Sequence, residues 1–352
     1  MSGTSLDGLD LVACRFNVSN NQSSFEIIDA LTVPYEQKLL QKLANIHNVL
    51  GDELIQTDFL LGRFIGQKIR EFVSDNHFSP DFIGSHGHTA FHFPARGYTC
   101  QIGNGQAIVE ESGIPVINDF RSRDLLKGGQ GAPLVPAAEA DLFSEYDFCL
   151  NLGGIANVTC LNGPSVRAYD VAPCNLILNK IAGMLGKDFD KDGKIASSGV
   201  INEEFLQKLN GHPYYERGMP KSLDKEEVLE QWWPVFTESG LSPGDMSATF
   251  CRHLTGLIED SVMFMHQSSE KPSVLITGGG TMHPVLMKYF NNSARVNFEI
   301  PGMDLIEFKE ALAFAYLGLQ KLLGRNNVLS SVTGAYEDHC SGVVHGDLKA
   351  LF

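Results

Sequence analysis

Hydrophobic positions along this chain switch between two spacings. Residues 9–16 form an apolar run of strand character, preceded by a start rich in turn formers, Ser2-Gly3-Thr4-Ser5-Leu6-Asp7-Gly8. Within residues 35–49 and 57–74, apolar residues recur at three- and four-residue steps, which predicts two amphipathic helices. Further strands are predicted at 82–85, 98–102, 148–150, 158–161 and 273–276. Long packed helices are predicted at 248–266 and 307–323. Residues 188–247 are polar and punctuated by Pro and Gly, so they read as a helical excursion from the sheet. Strands alternating with helices predict an α/β fold with mixed sheets.

One pattern occurs twice. The turn at residues 2–8 feeds an apolar strand, and Asn151-Leu152-Gly153-Gly154-Ile155-Ala156-Asn157 does the same for residues 158–161. A third cluster, Thr277-Gly278-Gly279-Gly280, follows a buried strand and precedes a helix starting near Pro284. The recurrence predicts a duplicated architecture of two facing sheet domains.

Charge narrows the range of partners. Lys and Arg number 27 against 42 Asp and Glu, so 27 − 42 leaves −15. Such a surface repels phosphate backbones and anionic membranes, which argues against nucleic-acid and membrane partners. A small phosphorylated ligand held by local backbone amides stays open. No apolar run approaches the roughly 20 residues of a membrane span. The first ten residues hold Asp7 and Asp10 where a signal peptide would carry lysines. The 7 cysteines stand singly, without a Cys-x-x-Cys pair, as expected of reduced thiols in a cytoplasmic protein.

The chemistry gathers in few places. Glycine lets a backbone pass close to an anion and aim its N–H groups at it, so the three Gly-rich turns read as phosphate cradles or as simple hairpin turns. Asp7 would repel phosphate directly; its functional role would be to hold a Mg²⁺ that bridges phosphate oxygens. Asp170 ends a predicted strand before Val171-Ala172-Pro173-Cys174-Asn175, where a carboxylate takes a proton from an attacking water or only caps a turn. His86, His88 and His92 have a spacing that admits metal binding, hydrogen bonding to a substrate, or a structural role. Arg121 suits a carboxylate ligand or a surface ion pair, and the glycines of 128–131 after it read as a hinge or binding loop. Asp188-x-Asp190-x-Asp192-Gly193 copies half of a calcium loop, but Gly199 stands where that loop needs a glutamate.

Several of these stretches together resemble one family. Ser2 to Gly8, Gly128-Gly129-Gln130-Gly131-Ala132-Pro133, Asn151 to Val158 and Gly278-Gly279-Gly280 are similar to the anhydro-N-acetylmuramic acid kinases. So are Asp190-x-Asp192-Gly193, Pro220-Lys221-Ser222 and Glu310 to Ala315, in the same order over nearly the whole chain. The resemblance implies two actin-like (ribonuclease H-like) domains, each a mixed sheet flanked by helices, with a cleft that closes on ATP. It implies cleavage of the 1,6-anhydro ring of anhydro-N-acetylmuramic acid with phosphorylation of O6, for peptidoglycan recycling. An actin-like ATP-binding protein without sugar turnover is the alternative, and a hydrolase with a metal on His86, His88 and His92 is a second.

By that resemblance Gly3, Thr4, Ser5, Leu6, Asp7 and Gly8, with Gly153, Gly154 and Asn157, bind phosphate, and Gly278, Gly279 and Gly280 form the nucleoside loop. Asp170 is the base that activates water, and Glu310, in the matching helix, supports the site. His86, His88, Arg121 and Asn175 are expected at the sugar, with Arg121 pairing with its lactyl carboxylate. ATP and Mg²⁺ are the expected cofactors, and the family suggests a homodimer. The domains are expected at 1–130, at 131–330 with the helical insertion at 188–247, and at 331–352 as a segment returning to the first domain. Three features depart from the family pattern: no apolar strand stands before the first turn, His88 replaces a common Gln, and Cys174 replaces a Gly.

Overall fold

A computed structural model describes residues 1–3, 6–18, 23–219 and 221–348, so Thr4 and Ser5 lie outside the described residues, as does Pro220. The chain divides into two compact units, Met1–Leu142 with Phe308–Phe352 and Phe143–Glu307. The sequence expectation set divisions at 130 and 330; two side-chain ties accompany the later and earlier positions seen here. Lys309 donates to Glu139 at 2.5 Å and Tyr316 to Asp141 at 2.9 Å, which joins residues 135–142 to the helix Met303–Leu322.

In the first unit, β1 (Leu9–Val18) and β2 (Ser23–Val33) form an antiparallel ladder running from Leu9↔Val33 to Val18↔Ser23. Strand β1 buries Leu9 and Leu11, two residues apart on one pleated face. Against that face packs α1 (Gln37–Ala44) with Leu39 and Leu43. The longer α2 (Gly51–Asp75) adds Leu61, Phe64, Ile65, Ile69 and Phe72, a stripe at helical spacing. Each such side chain fully withdrawn from water stabilises by about 1.5–3 kcal/mol. Strand β3 (Ile83–Gly84) is followed by the hairpin β4 (His88–Phe93) and β5 (Tyr98–Ile102). β3 runs parallel to β6 (Val116–Asn118), which pairs antiparallel with the strand Val343–His345.

The second unit is a five-stranded mixed sheet. Its members are β7 (Phe148–Leu152), β8 (Ile155–Cys160), β9 (Arg167–Pro173), β10 (Ser273–Thr277) and β11 (Asn297–Glu299), in the order β11-β10-β7-β8-β9. β7, β8 and β9 are antiparallel neighbours; β10 runs parallel to β7 and β11 to β10. The helix Pro243–Met265 begins where the Ser242 hydroxyl accepts from the Asp245 amide and Pro243 takes the first turn, earlier than its apolar pattern alone suggested. It buries Phe250, Leu254, Ile258, Val262 and Met265 in the core of the sheet. The stretch 188–247 is helical as expected, in short pieces such as Glu203–Asn210 and Trp233–Thr237. Trp232 anchors it, fully buried with its ring stacked on His212 at 3.9 Å.

Candidate functional site

Two of the Gly-rich clusters meet in the second unit. Gly153 and Gly154 make the tight turn between β7 and β8. The start of the helix Asn175–Gly183 clamps it: the Cys174 and Leu176 amides donate to the Gly154 carbonyl, and the Asn175 amide donates to that of Gly153. The Asn175 side-chain amide also donates to the Leu152 carbonyl at 2.9 Å. Gly278 and Gly280 lie against the same residue. A Cβ on Gly278 would stand 2.9 Å from the Leu152 carbonyl, and one on Gly280 would stand 2.6 Å from the Leu152 Cβ.

Gly278 also holds φ +87, so it needs glycine for both space and conformation. Gly278→Ala is therefore expected to cost about 2–3 kcal/mol of stability, read as a lower urea midpoint. Cys174 is fully buried, and burial pushes its thiol up to about 12, which leaves it inert as a nucleophile.

Asp170 stands at the end of a polar row. Asn151 pairs with Asn157 across β7 and β8, and Asn157 with Asp170 across β8 and β9. Opposed residues share a face, so the three side chains line up across the sheet. Ala156 pairs with Ala172 while Asn157 pairs with Asp170, so Val171 is an extra residue that turns Asp170 to this face. The Leu223 amide donates to the Asp170 carboxylate at 2.9 Å. Burial raises that carboxyl from 3.8 to about 6 against the pull of the Leu223 hydrogen bond. A carboxylate poised there suits a general base near neutral pH. Neither Asn151 nor Leu223 was singled out from the sequence; only the strand register could have exposed Asn151.

In the first unit Arg121 binds His86, one of the expected sugar residues, and the Gly131 carbonyl. Its Nε and one terminal nitrogen donate to His86 Nε2 at 3.1 and 2.9 Å, and its other terminal nitrogen donates to the Gly131 carbonyl at 2.6 Å. His86 Nδ1 faces the Gly87 carbonyl at 3.0 Å, so it carries the proton and Nε2 accepts. Burial, helped by Arg121, holds His86 well below its usual range and keeps it neutral. Burial also lowers Arg121 to about 10, opposed by the charges of Glu310 and Asp124, so it stays cationic at neutral pH. One N–H on each terminal nitrogen of Arg121 remains for a ligand. Glu310 is exposed on the helix Met303–Leu322.

The Gly128–Gly131 loop is held by Asp124, a fully buried residue the sequence reading passed over. Its carboxylate accepts from the Gly131 amide at 2.7 Å and from the Thr333 hydroxyl at 2.8 Å.

The remaining predicted residues take local roles. His88 Nδ1 accepts from the Ser2 hydroxyl at 3.0 Å, while that hydroxyl accepts from Tyr35 at 2.6 Å. Burial lowers His88 to about 4. Ser2 and Tyr35 thus fix the first turn, and neither was predicted. Gly8 permits close packing, since a Cβ there would meet the Val33 carbonyl at 2.8 Å. Leu6 has φ +62 and Asp7 is exposed in a bend. His92 Nδ1 lies 3.1 Å from the Thr99 hydroxyl, so the three histidines have separate partners. Among the described residues no three His, Cys, Asp or Glu side chains form a metal-holding group, which removes support for the metal-hydrolase alternative. Nor is any helix among them long and apolar enough to cross a membrane.

Comparison with known proteins gives a match over most of the chain. A family model described as anhydro-N-acetylmuramic acid kinase matches residues 1–346. A protein of that name from Thiobacillus denitrificans is 34% identical, with 98% of this chain and 95% of the relative covered. Another from Paramagnetospirillum magneticum is 33% identical, with 98% of each chain covered.

Proposed function

The chain belongs to the anhydro-N-acetylmuramic acid kinase family, and from that premise we propose that it opens the 1,6-anhydro ring of anhydro-N-acetylmuramic acid and phosphorylates O6 with ATP. The product is N-acetylmuramic acid 6-phosphate, a step of peptidoglycan recycling. The observation that carries this reading is the polar row Asn151, Asn157 and half-buried Asp170, its carboxyl raised to about 6, in the same sheet as a turn clamped by Asn175.

Water attacks the anomeric carbon while Asp170 takes its proton. The bond from that carbon to O6 breaks, and O6 receives the γ-phosphoryl group as the β–γ bridging oxygen leaves with ADP. Phosphoryl transfer needs mainly alignment and charge neutralisation, so backbone amides at Gly153 and Gly154 and at the first turn suit it. Gly278 to Gly280 take the nucleoside. Arg121, oriented by His86 and Gly131, offers its two remaining N–H groups to the lactyl carboxylate, with His88 and Asn175 as further sugar contacts. Glu310 places a carboxylate whose charge reaches Arg121 and supports that alignment.

Asp7, exposed in the first turn, is an oxygen donor of the type Mg²⁺ favours, and it would hold the ion. When bound, Mg²⁺ neutralises phosphate charge. The protein acts in the cytoplasm, a reading supported by cysteines that are all free among the described residues, and it works as a homodimer, as the resemblance implies.

A coupled assay with the anhydro sugar tests the reaction. ADP and the 6-phosphorylated sugar are expected to appear in equal amounts, only when the anhydro sugar is present. Chelation by EDTA is expected to stop turnover and excess Mg²⁺ to restore it. ADP release that ignores the sugar would leave the ATP-binding alternative instead.

A further inference from the structure

Asp170 is held by more than its own sheet. β9 is the last strand in the order β11-β10-β7-β8-β9, so its outer edge has no strand partner among the described residues. At Asp170 the helical insertion covers that edge. The Asp170 amide donates to the Lys221 carbonyl at 3.1 Å, and the Asp170 carbonyl accepts from the Tyr214 hydroxyl at 2.5 Å. The Leu223 amide reaches back to the carboxylate, at Oδ2. Residues 214, 221 and 223 thus bind both backbone groups and one carboxylate oxygen of a single residue. Oδ1 accepts from no partner among the described residues.

Lys221 fixes this segment in place. Its ammonium lies 4.6 Å from the centre of the Tyr214 ring, 5.8 Å from that of Tyr169 and 5.9 Å from that of Tyr215. It also donates to the Tyr214 and Tyr215 carbonyls at 3.3 and 3.5 Å. Those tyrosines are tied into the core by a chain of hydrogen bonds. The Trp232 indole donates to the Tyr215 hydroxyl at 3.3 Å, that hydroxyl donates to His253 Nε2 at 2.9 Å, and His253 Nδ1 donates to Asn210 Oδ1 at 2.6 Å. Tyr214, Trp232 and His253 are buried. Leu223 completes the clamp, with its side chain in the same core and its amide on Asp170.

Such a construction suits a group whose direction matters. A carboxylate that takes a proton must present one oxygen to the water, and a displacement of about 1 Å at a reacting group costs on the order of 10²-fold in rate. Covering a strand edge requires backbone pairing alone; here the cover extends to the carboxylate. The bond at Oδ2 also favours the ionised form, in which a base works, against the effect of burial.

We propose that Lys221 and Tyr214 are positioning residues for the base: they lock residues 221–223 along the outer edge of β9, so that the Leu223 amide fixes Oδ2 of Asp170 and Oδ1 is left to take the proton of the attacking water. The inference rests on the reaction proposed above and adds to it the device that aims its base.

Lys221→Met keeps the stem of the side chain and removes the cation with its donors. With ATP and the anhydro sugar it is expected to lower kcat by about 10- to 100-fold and to leave both KM values within about twofold. Lys221→Arg, which keeps the charge and the ring stacking, should hold kcat within about threefold of the parent. Tyr214→Phe, which loses the bond to the Asp170 carbonyl, should fall between the two. In an Asp170→Asn background Lys221→Met should lower kcat by less than about twofold, because its effect passes through the carboxylate. An equal loss in both backgrounds overturns the proposal, and so does full kcat in Lys221→Met. Amide exchange reads the clamp without turnover. Lys221→Met should speed exchange at Asp170 and Leu223 by on the order of 10-fold more than at Leu150 in central β7. Equal acceleration at all three amides marks a general loss of stability and overturns the clamp. Absence of turnover in the unaltered protein, with the expected exchange pattern in the variant, would overturn the kinase reading and leave the hold on Asp170 standing.

Discussion

Asp170→Asn is expected to lower turnover about 10³-fold while leaving ATP affinity within about twofold, because the carboxylate serves the water and not the nucleotide. The measurement is steady-state kinetics with the anhydro sugar, paired with calorimetric titration of ATP. In the unaltered protein kcat/KM should fall as pH drops through about 6, where Asp170 becomes protonated. A loss of ATP affinity comparable to the loss of turnover would place Asp170 at the phosphates instead.

The same variant should be more stable than its parent at pH 8. Asp170 is raised from 3.8 to about 6 on folding, so the folded protein binds the extra proton between those values. Its contribution is fully present below pH 3.8 and is lost as pH rises through about 6. Asn has no such loss, so the variant should gain about 1–3 kcal/mol at pH 8, and the gain should vanish near pH 3.8. Denaturant midpoints at the two pH values give the comparison. Lower activity joined to higher stability is the signature of a group held in an unfavourable state for chemistry.

Lys309→Ala is expected to destabilise the protein by about 3–5 kcal/mol, since it leaves the Glu139 carboxylate buried beside a cavity. Lys309 and Glu139 approach to 2.5 Å with only 5% of each side chain exposed. The double variant Glu139→Leu with Lys309→Met should recover most of the loss, because it removes both charges and keeps the volume. Urea unfolding of the single and double variants measures both. Recovery that fails to appear would mean that the pair fixes the geometry of residues 135–142 as well as neutralising charge.

The regular elements were largely legible in the residue pattern. The helices over 57–74 and 307–323 are present because their apolar residues lie at helical spacing and face the core. The strand β2 left no such mark: Ile28 and Leu31 are exposed, so its apolar residues fall on both faces and the alternation is blurred. Turn chemistry pointed correctly to Gly278, where glycine is required by conformation. It did not reveal Asp124 or Ser2, because a buried carboxylate tied to loop amides resembles any other Asp until the chain closes on it. The proton-bearing nitrogens of His86 and His88 likewise follow from partners brought near by folding, 35 residues away in Arg121 and 86 in Ser2.

The bulge at Val171 keeps Asp170 on its face of the sheet. With Val171 deleted, Ala172 would still meet Ala156 and Asp170 would still meet Asn157. With Val171 kept and paired to Asn157 in even step, Asp170 would instead fall opposite Val158, on the apolar side of the sheet. Every side chain type would be retained and the acid would still be lost to the reaction. The exposed residues 162–165 between the same strands lie outside that register, so natural or engineered gains and losses of residues belong there.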